Sequence, residues 1–224
     1  MAVVTGASRG IGAATAELLA AEGAQVVRVA RSLAAGSHGS FHDVPCDLTD
    51  PAQVNRLGVR IVTQHGAPDI VVSNAGSFLL RPLEETDPAE FGQQLAVNLA
   101  APFHVAHAFL PAMRKEGKGS FISVGSVADH VGFPENAAYS ASKFGLRGLH
   151  ETLLAEYRGS GVRLTLVSPG PTDTAVWDQV DLDQRPDFTP RSGMLRPHDV
   201  AEAILFAATR PAHVLIDWLR LAPT

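Results

Sequence analysis

Cysteine is nearly absent from this chain, because Cys46 is the only one among 224 residues. A single cysteine excludes an internal disulfide and suits a reducing compartment, which favours a cytoplasmic protein. Charged residues are scarce too, at 18% against about 25% in an average soluble domain. The 18 basic residues do not outnumber the 23 acidic ones, so nucleic-acid binding and attachment to anionic lipid are not expected.

Long hydrophobic runs are also lacking. The apolar stretches fall short of the roughly 18 residues that a membrane-spanning helix needs, and we expect no membrane association. The first six residues lack the basic region and the long apolar region of a signal peptide. The hydrophobic content of 46% nevertheless suffices for a sizeable core, which excludes an intrinsically disordered chain.

Short apolar segments alternate with helical patterns along the whole chain. Strands are predicted at Ala2–Val4, Ala24–Ala30, Phe41–Pro45, Ile70–Ser73, Phe121–Val124, Val162–Val167 and Val214–Leu219. Helices are predicted at Ile11–Glu22, Pro51–His65, Pro88–Lys115 (interrupted at Pro102), Ala138–Ser160 and Pro197–Thr209, with Ala34–Ser40 as a loop. Strands that are apolar on both faces and separated by helices indicate a covered parallel sheet. The predicted fold is α/β: a single doubly wound Rossmann-type domain over residues 1–224, with a parallel sheet of about seven strands flanked by helices.

The first twelve residues combine a strand, a tight turn and the start of a helix. Gly6 permits the sharp turn, while Gly10 and Gly12 remove side chains where backbone must approach a pyrophosphate or a strand. The helix N-terminus directs unpaired N–H groups towards phosphates. The spacing G-x-x-x-G-x-G at this place favours dinucleotide binding over ordinary turn glycines.

Tyr139 and Lys143 lie four residues apart at the start of a helix and therefore share one face. A phenol ionises near pH 10, so we expect a cationic neighbour, together with a cationic ring of the bound cofactor, to lower the pKa of Tyr139 towards neutral pH. Ser126 follows a strand, which places its hydroxyl at the sheet edge where doubly wound folds bind ligands. Taken alone, the Tyr–Lys pair would more simply be a surface lysine beside a helical tyrosine.

Several motifs in order resemble the short-chain dehydrogenase/reductase family over essentially the whole chain. They are Thr5-Gly6-Ala7-Ser8-Arg9-Gly10-Ile11-Gly12, Asp47-Leu48, Asn74-Ala75-Gly76, Asn98, Ser126, the Tyr139–Lys143 pair, and Pro169-Gly170 with Thr174. The resemblance implies an oxidoreductase that transfers a hydride between a nicotinamide cofactor and a small carbonyl or alcohol substrate. It implies cofactor contacts at Gly6, Ser8, Arg9, Gly10, Ile11, Gly12, Arg31, Ser32, Asp47, Leu48, Asn74, Ala75, Gly76, Tyr139, Lys143, Pro169, Gly170, Thr172 and Thr174.

The resemblance also implies four catalytic roles. Tyr139 would exchange a proton with the substrate oxygen, and Ser126 would orient that oxygen. Lys143 would also hold the nicotinamide ribose. Asn98 would kink its helix and hold a water that leads to Lys143.

The sequence departs from the family pattern near the serine. Gly125 stands where a second serine is frequent, Asp129 stands where glycine is usual, and Thr172 replaces a commoner aliphatic residue. Two interpretations of Asp129 and His130 stay open. They form a solvated loop pair, which is favoured, or they tune the substrate pocket.

The predicted cofactor is NADP(H). In such folds an acid at the end of the second strand binds the ribose 2′-hydroxyl of NAD and repels a 2′-phosphate. Ala30 stands at that position, and Arg31 follows it. Arg31, together with Arg9 in the glycine turn, is suited to pairing with a phosphate.

The long irregular segment Thr174–Arg196 is predicted to be a lid over the substrate. It mixes apolar residues such as Val176, Trp177 and Phe188 with several aspartates, which suits a cover that is apolar inside and charged outside. The alternative is an ordinary surface crossover with Trp177 packed in the core.

A homodimer or homotetramer is expected from two long helices with many apolar positions. These positions are Phe103, Phe109, Leu146, Leu149 and Leu153. No metal site is expected, because His104 and His107 lack companion ligands. Two alternatives to alcohol or carbonyl chemistry remain: a nucleotide-binding regulator without turnover, and an epimerase or dehydratase on the same fold.

Overall fold

The computed structural model describes all 224 residues and is built on an eight-stranded sheet. In chain order the strands are β1 (Ala2–Thr5), β2 (Val26–Val29), β3 (Gly36–His38), β4 (Phe41–Val44), β5 (Ile70–Ser73), β6 (Gly119–Val124), β7 (Val162–Pro169) and β8 (Trp218–Leu221). Their order across the sheet is β3-β4-β2-β1-β5-β6-β7-β8, and every neighbouring pair is parallel except β3–β4. The predicted doubly wound α/β fold is confirmed.

Six α-helices cover the two faces of the sheet. They are α1 (Gly10–Ala21), α2 (Pro51–His65), α3 (Pro88–Leu95), α4 (Ala101–Glu116), α5 (Ala137–Glu156) and α6 (Pro197–Ala208). Alternate residues of β1 enter different cores, with Val3 packing among residues of α2 and α4, and Val4 among residues of α1 and α6. This period-two alternation explains why the central strands are apolar throughout.

The sheet has one strand more than the sequence predicted. Gly36–His38, placed in the predicted loop Ala34–Ser40, pairs antiparallel with Phe41–Val44 and forms the edge strand β3. All three residues of β3 are exposed, so this strand has no hydrophobic pattern that could reveal it. The last strand also begins later than predicted, at Trp218 rather than Val214.

The long helix predicted at Pro88–Lys115 is interrupted, but not at Pro102. A single π-helical turn, Ala96–Ala100, separates α3 from α4, and Pro102 follows it in the first turn of α4, where it has no N–H to donate to the preceding turn. The turn carries Asn98, and α5 approaches it closely: a Cβ on Gly145 would lie 2.8 Å from a Leu99 methyl. The interruption therefore lies beside the candidate site.

By length and composition alone, the continuous helical run from Pro88 to Glu116 is apolar enough to cross a membrane. This differs from the sequence expectation of only short apolar stretches. The run belongs to the core, however, because the side chains of Val105, Phe109 and Met113 are at most 1% exposed and pack against the sheet. Its apolar character follows from that burial.

Candidate active site

A single large cavity of about 1030 Å³ opens at the carboxyl ends of the parallel strands. This is where doubly wound sheets bind ligands. Every predicted site residue lines it except Gly12 and Asn98. Each of those two lies one layer behind the wall and contacts residues that line it.

The glycine turn packs too tightly for side chains. Gly6 has a φ of +66°, and a Cβ on Gly12 would lie only 2.3 Å from the Gly6 carbonyl oxygen. Asn74 supports the turn from β5, since its backbone N–H donates to the Thr5 hydroxyl and its side-chain amide donates to the Thr5 carbonyl. Gly12 and Asn74 therefore shape the turn, and Gly6 and residues 8–11 line the cavity.

Two arginines stand at the mouth of the cavity and form no ion pair. Arg9 and Arg31 both line it, both are exposed, and neither forms an ion pair. Ala30, at the end of β2, contributes no carboxylate. Asp47 also lines the mouth, and hydrogen bonds from Thr49 hold the pKa of its carboxyl below the usual range.

Ser126, Tyr139 and Lys143 converge on the opposite wall. Ser126 leaves β6 in an extended conformation, and its hydroxyl accepts a hydrogen bond from the Ala128 N–H at 3.1 Å. Lys143 donates to the Val124 carbonyl at 3.1 Å, and its Nζ lies 5.7 Å from the centre of the Tyr139 ring. The structure thus brings together, in one cavity, the three side chains that the sequence analysis singled out as candidate catalytic groups.

Lys143 alone does not lower the pKa of Tyr139, and the predicted lowering by Lys143 together with the cationic cofactor ring stays a prediction. Burial raises the pKa of Tyr139 to about 12; the Ser126 hydroxyl opposes this rise and the Asp129 charge adds to it. Burial also lowers the pKa of Lys143 to about 8. Lys143 points its ammonium at a backbone carbonyl rather than at the phenol oxygen, so desolvation outweighs its charge.

Asn98 fastens the π-helical turn to the loop after β5. Its side-chain oxygen accepts from the Ser77 N–H at 2.9 Å, and its amide nitrogen donates to the Ser77 carbonyl and to the hydroxyl of Ser142. Ser142 precedes Lys143 on α5. Asn98 therefore connects the helix interruption to the lysine's helix, while its predicted water relay to Lys143 stays a prediction.

Asp129 is not a solvated loop residue, which corrects the favoured interpretation. Its side chain is fully buried, and one carboxylate oxygen accepts from the Ser126 N–H at 3.1 Å. The other oxygen lies 2.7 Å from Nδ1 of His130. Neither residue lines the cavity, so the alternative that they tune the substrate pocket stays a prediction of an indirect effect.

Aromatic side chains form the remaining wall. Phe78 lies between Tyr139 and Trp177, with ring centroids 5.1 Å and 5.0 Å away, and Phe188 follows 5.8 Å beyond Trp177. Trp177 is 8% exposed and donates from Nε1 to the Thr172 carbonyl. Trp177 therefore both lines the cavity and packs tightly, which combines the two alternatives offered for it.

Two aromatic wall residues escaped the sequence analysis, namely Phe78 and Phe133. Phe78 follows Asn74-Ala75-Gly76 in the loop after β5, and loops at the carboxyl ends of parallel strands meet at the site. That placement was a usable signal for Phe78. Phe133 lies in the loop before α5, and no local pattern distinguishes it.

Comparison with known proteins places this geometry in one family. The model of the short chain dehydrogenase family matches residues 1–185. A D-threitol dehydrogenase from Mycolicibacterium smegmatis is 33% identical, with 96% of this chain and 88% of the relative covered.

Solved structures agree with the family match. A metagenomic short-chain oxidoreductase in complex with NADP superposes with a TM-score of 0.83 at 34% identity, covering 100% of this chain and 96% of the other. An alcohol dehydrogenase from Thermococcus sibiricus complexed with 5-hydroxy-NADP gives a TM-score of 0.84 at 28% identity, covering 98% and 94%. This chain belongs to the short chain dehydrogenase family of oxidoreductases.

Proposed function

We propose that the protein is an NADP(H)-dependent alcohol dehydrogenase or carbonyl reductase. The observation that carries the proposal is that one cavity has the glycine turn and two unpaired arginines at its mouth and Ser126, Tyr139 and Lys143 on its inner wall. A nucleotide-binding regulator without turnover would need only the glycine turn and the arginines at the mouth. The relatives named as D-threitol dehydrogenase and alcohol dehydrogenase lend support.

The residues at the mouth fit a dinucleotide that carries a 2′-phosphate. Gly10 has a φ of +57° and presents bare backbone opposite Thr174, whose methyl would lie 3.2 Å from a Cβ at position 10. The unpaired N–H groups at the start of α1 suit a pyrophosphate. Arg9 and Arg31 suit the 2′-phosphate, because a guanidinium binds phosphate in a bidentate manner and Ala30 offers no repulsion.

When bound, NADPH supplies the hydride for carbonyl reduction, and the chain supplies binding, orientation and the proton. Tyr139 is protonated at neutral pH, which is the form that donates a proton to a carbonyl oxygen. Ser126 orients the same oxygen through its hydroxyl. Lys143 holds the cofactor's ribose, and its lowered pKa suits a group that passes protons on towards Asn98.

The aromatic wall selects the substrate class. Phe78, Trp177 and Phe188 offer flat apolar surfaces next to Tyr139, while Arg185 and Asp187 lie at the outer rim. We therefore expect aryl or other hydrophobic ketones and aldehydes. Thr174–Arg196 acts as the lid, fastened by ion pairs from Arg185 to Glu135 and from Arg191 to Asp173.

The test follows NADPH consumption with benzaldehyde, acetophenone and cyclohexanone, and NADP reduction with the matching alcohols. Turnover with an aryl substrate, and a higher kcat/KM with NADPH than with NADH, are the expected results. Binding of NADPH without turnover on any substrate would favour the regulator. Product analysis that shows isomerised or dehydrated product without net cofactor consumption would favour the epimerase or dehydratase alternative.

Two further expectations accompany this function. The protein acts as a homodimer or homotetramer, since exposed aromatic residues remain on the outer faces of α4 and α5. It acts in the cytoplasm, for which the lone buried Cys46 is the support.

A further inference from the structure

Asp129 is a fully buried carboxylate behind the serine turn. Oδ2 accepts hydrogen bonds from the Ser126 N–H at 3.1 Å and from the Ser168 hydroxyl at 2.6 Å, and Oδ1 lies 2.7 Å from Nδ1 of His130. A buried carboxylate without partners is strongly unfavourable. The Asp129 carboxylate has three hydrogen-bonding partners on three different residues, so its burial is compensated.

The carboxylate takes up the space beside Gly125. A Cβ at position 125 would lie 2.3 Å from Oδ2 of Asp129, closer than any contact a real side chain makes. The two departures from the family pattern are therefore one arrangement. The turn lacks a side chain at position 125 because the carboxylate from position 129 fills that space.

The carboxylate also joins the turn to the sheet edge. Ser168, on β7, accepts a hydrogen bond from Nε1 of Trp218 at 2.8 Å while its own hydroxyl donates to Asp129. The Trp218 ring meets the His130 ring edge-on, with centroids 5.4 Å apart. The contacts thus close into a ring that runs from Asp129 to Ser168, Trp218, His130 and back to Asp129. Linked polar groups of this kind hold one another in place.

The charge of Asp129 is felt by the titratable groups on α5. It opposes loss of the Tyr139 proton and favours the charged forms of Lys143 and His150. The other titratable or charged groups in or against this ring of contacts are His130 on the same turn and Asp217 before β8, which acts on His150. Two arginines also pack on the Trp218 ring, Arg147 at 5.7 Å and Arg220 at 5.1 Å from its centre. Asp129 is therefore the carboxylate that acts on both Tyr139 and Lys143.

We propose that Asp129 is a positioning residue for the reaction: its carboxylate holds Ser126 through the backbone N–H and fixes the serine turn to Ser168 on β7. The same carboxylate opposes loss of the Tyr139 proton from behind the turn. The proposal rests on the proposed role of Tyr139 as the proton donor. Asp129 touches neither the cavity nor the substrate, so it acts through the two residues in front of it.

The first test needs no turnover. Tyr139 and Tyr157 are the only tyrosines, so a Tyr157→Phe background leaves Tyr139 as the sole source of phenolate absorbance. We expect Asp129→Asn, which keeps the shape and removes the charge, to increase the fraction of Tyr139 ionised at any alkaline pH where both proteins remain folded by circular dichroism. Equal or smaller ionisation in Asp129→Asn would overturn the proposal.

The second test uses the pH profile of alcohol oxidation with NADP and benzyl alcohol. Asp129→Asn should move the alkaline midpoint to lower pH, while Ser168→Ala, which keeps the charge but loosens the turn, should lower kcat severalfold at an unchanged midpoint. Asp43→Asn is the matched control, since Asp43 is also a buried carboxylate but pairs with Arg28. A midpoint that moves equally in Asp129→Asn and Ser168→Ala would overturn the proposal.

A double variant covers the case in which Asp129→Asn does not fold. Gly125→Ser combined with Asp129→Gly places a hydroxyl in the space that the carboxylate vacates. We expect it to fold and to show the same lowered midpoint, and a wild-type midpoint in this folded protein would contradict the proposal. If Tyr139→Phe instead keeps full activity, the proposed acid role of Tyr139 fails, and the absorbance titration still measures the effect of Asp129 on its phenol. Absence of turnover on every substrate in the wild-type protein is the separate result that would overturn the proposed function.

Discussion

The ring of Phe78 meets the ring of Tyr139 edge-on, with centroids 5.1 Å apart and planes inclined by 82°. Edge-on aromatic pairs at this distance attract one another beyond the area they bury. Phe78 thereby supports the position of the candidate acid and at the same time offers a face to the cavity.

Trp177, on the far side of Phe78, tests the aromatic wall. Trp177→Ala should raise KM for acetophenone by about tenfold or more, since burying an aromatic face contributes about 1.5–3 kcal/mol. The Kd for NADPH should change little. Trp177→Phe, which keeps the ring and loses the hydrogen bond to Thr172, is the control and should stay near wild type. Equal KM values in all three proteins would exclude Trp177 from the substrate site.

Tyr139→Phe should lower kcat by about 10²–10⁴-fold, which is the usual contribution of a positioned acid. Its affinity for NADPH should stay within about twofold of wild type, because the ring still packs against Phe78. Lys143→Ala should lower kcat and weaken NADPH binding, because the contact to the cofactor's ribose is lost as well.

Stopped-flow measurements of NADPH binding and steady-state rates separate the effect on cofactor affinity from the effect on turnover. An active Tyr139→Phe protein would disprove the acid assignment.

Arg31→Ala should reduce NADPH affinity by about 10- to 100-fold, since a hydrogen bond to a charged group contributes about 1.5–3 kcal/mol. NADH, which lacks the 2′-phosphate, should bind as before. Arg60→Ala, an exposed arginine on α2, is the charge-matched control. A wild-type protein that prefers NADH would contradict the NADP(H) assignment.

Phe103 tests the oligomer. Of the apolar positions predicted to exceed one buried stripe, Phe109 and Leu146 lie in the core, Leu149 and Leu153 are half-buried, and Phe103 remains 49% exposed. Phe144 on α5, which was not among them, is 40% exposed. Phe103→Glu should convert the oligomer to a monomer in light scattering. Phe206→Glu, an equally exposed phenylalanine on α6, should leave the mass unchanged. A wild-type protein with the mass of a single chain would refute the expectation.

His150 makes stability depend on pH. It is 3% exposed, Nδ1 lies 3.1 Å from the Ser123 hydroxyl, and burial lowers its pKa from 6.5 to about 4. Below pH 6.5 the imidazole of His150 is protonated in the unfolded chain but stays neutral in the native state. The free energy of unfolding therefore falls as pH drops towards 4. The loss is about 3 kcal/mol over this window.

Urea unfolding at several pH values checks this expectation. His150→Gln should flatten the dependence between pH 6.5 and 4, while His107→Gln, at an exposed site on α4, should keep the wild-type slope. Identical slopes in wild type and His150→Gln would mean that another group titrates there.

Local spacing carried most of the fold and much of the site. Apolar strands between helices, the glycine spacing after β1, and the interval from Tyr139 to Lys143 all lie within short segments, so their geometry follows from backbone periods. These segments are expected to meet in one cavity, because the carboxyl ends of parallel strands lie at the same edge of the sheet. Gly10, Ser126 and Thr174 line the cavity, as this rule leads one to expect.

Contacts between distant segments decided the rest. Asp129 has the composition of a loop residue and is buried only because Ser168, 39 residues away, donates to it and Trp218 in turn donates to Ser168. The pKa of Tyr139 rises rather than falls because burial is a property of the assembled site and not of the spacing to Lys143. The exposed strand β3 likewise exists through its pairing with β4 and not through any pattern of its own. The sequence by itself therefore determined which chemistry the chain carries, whereas the tertiary structure decided the electrostatic surroundings in which that chemistry operates, since charge and desolvation depend on neighbours that periodicity does not reveal.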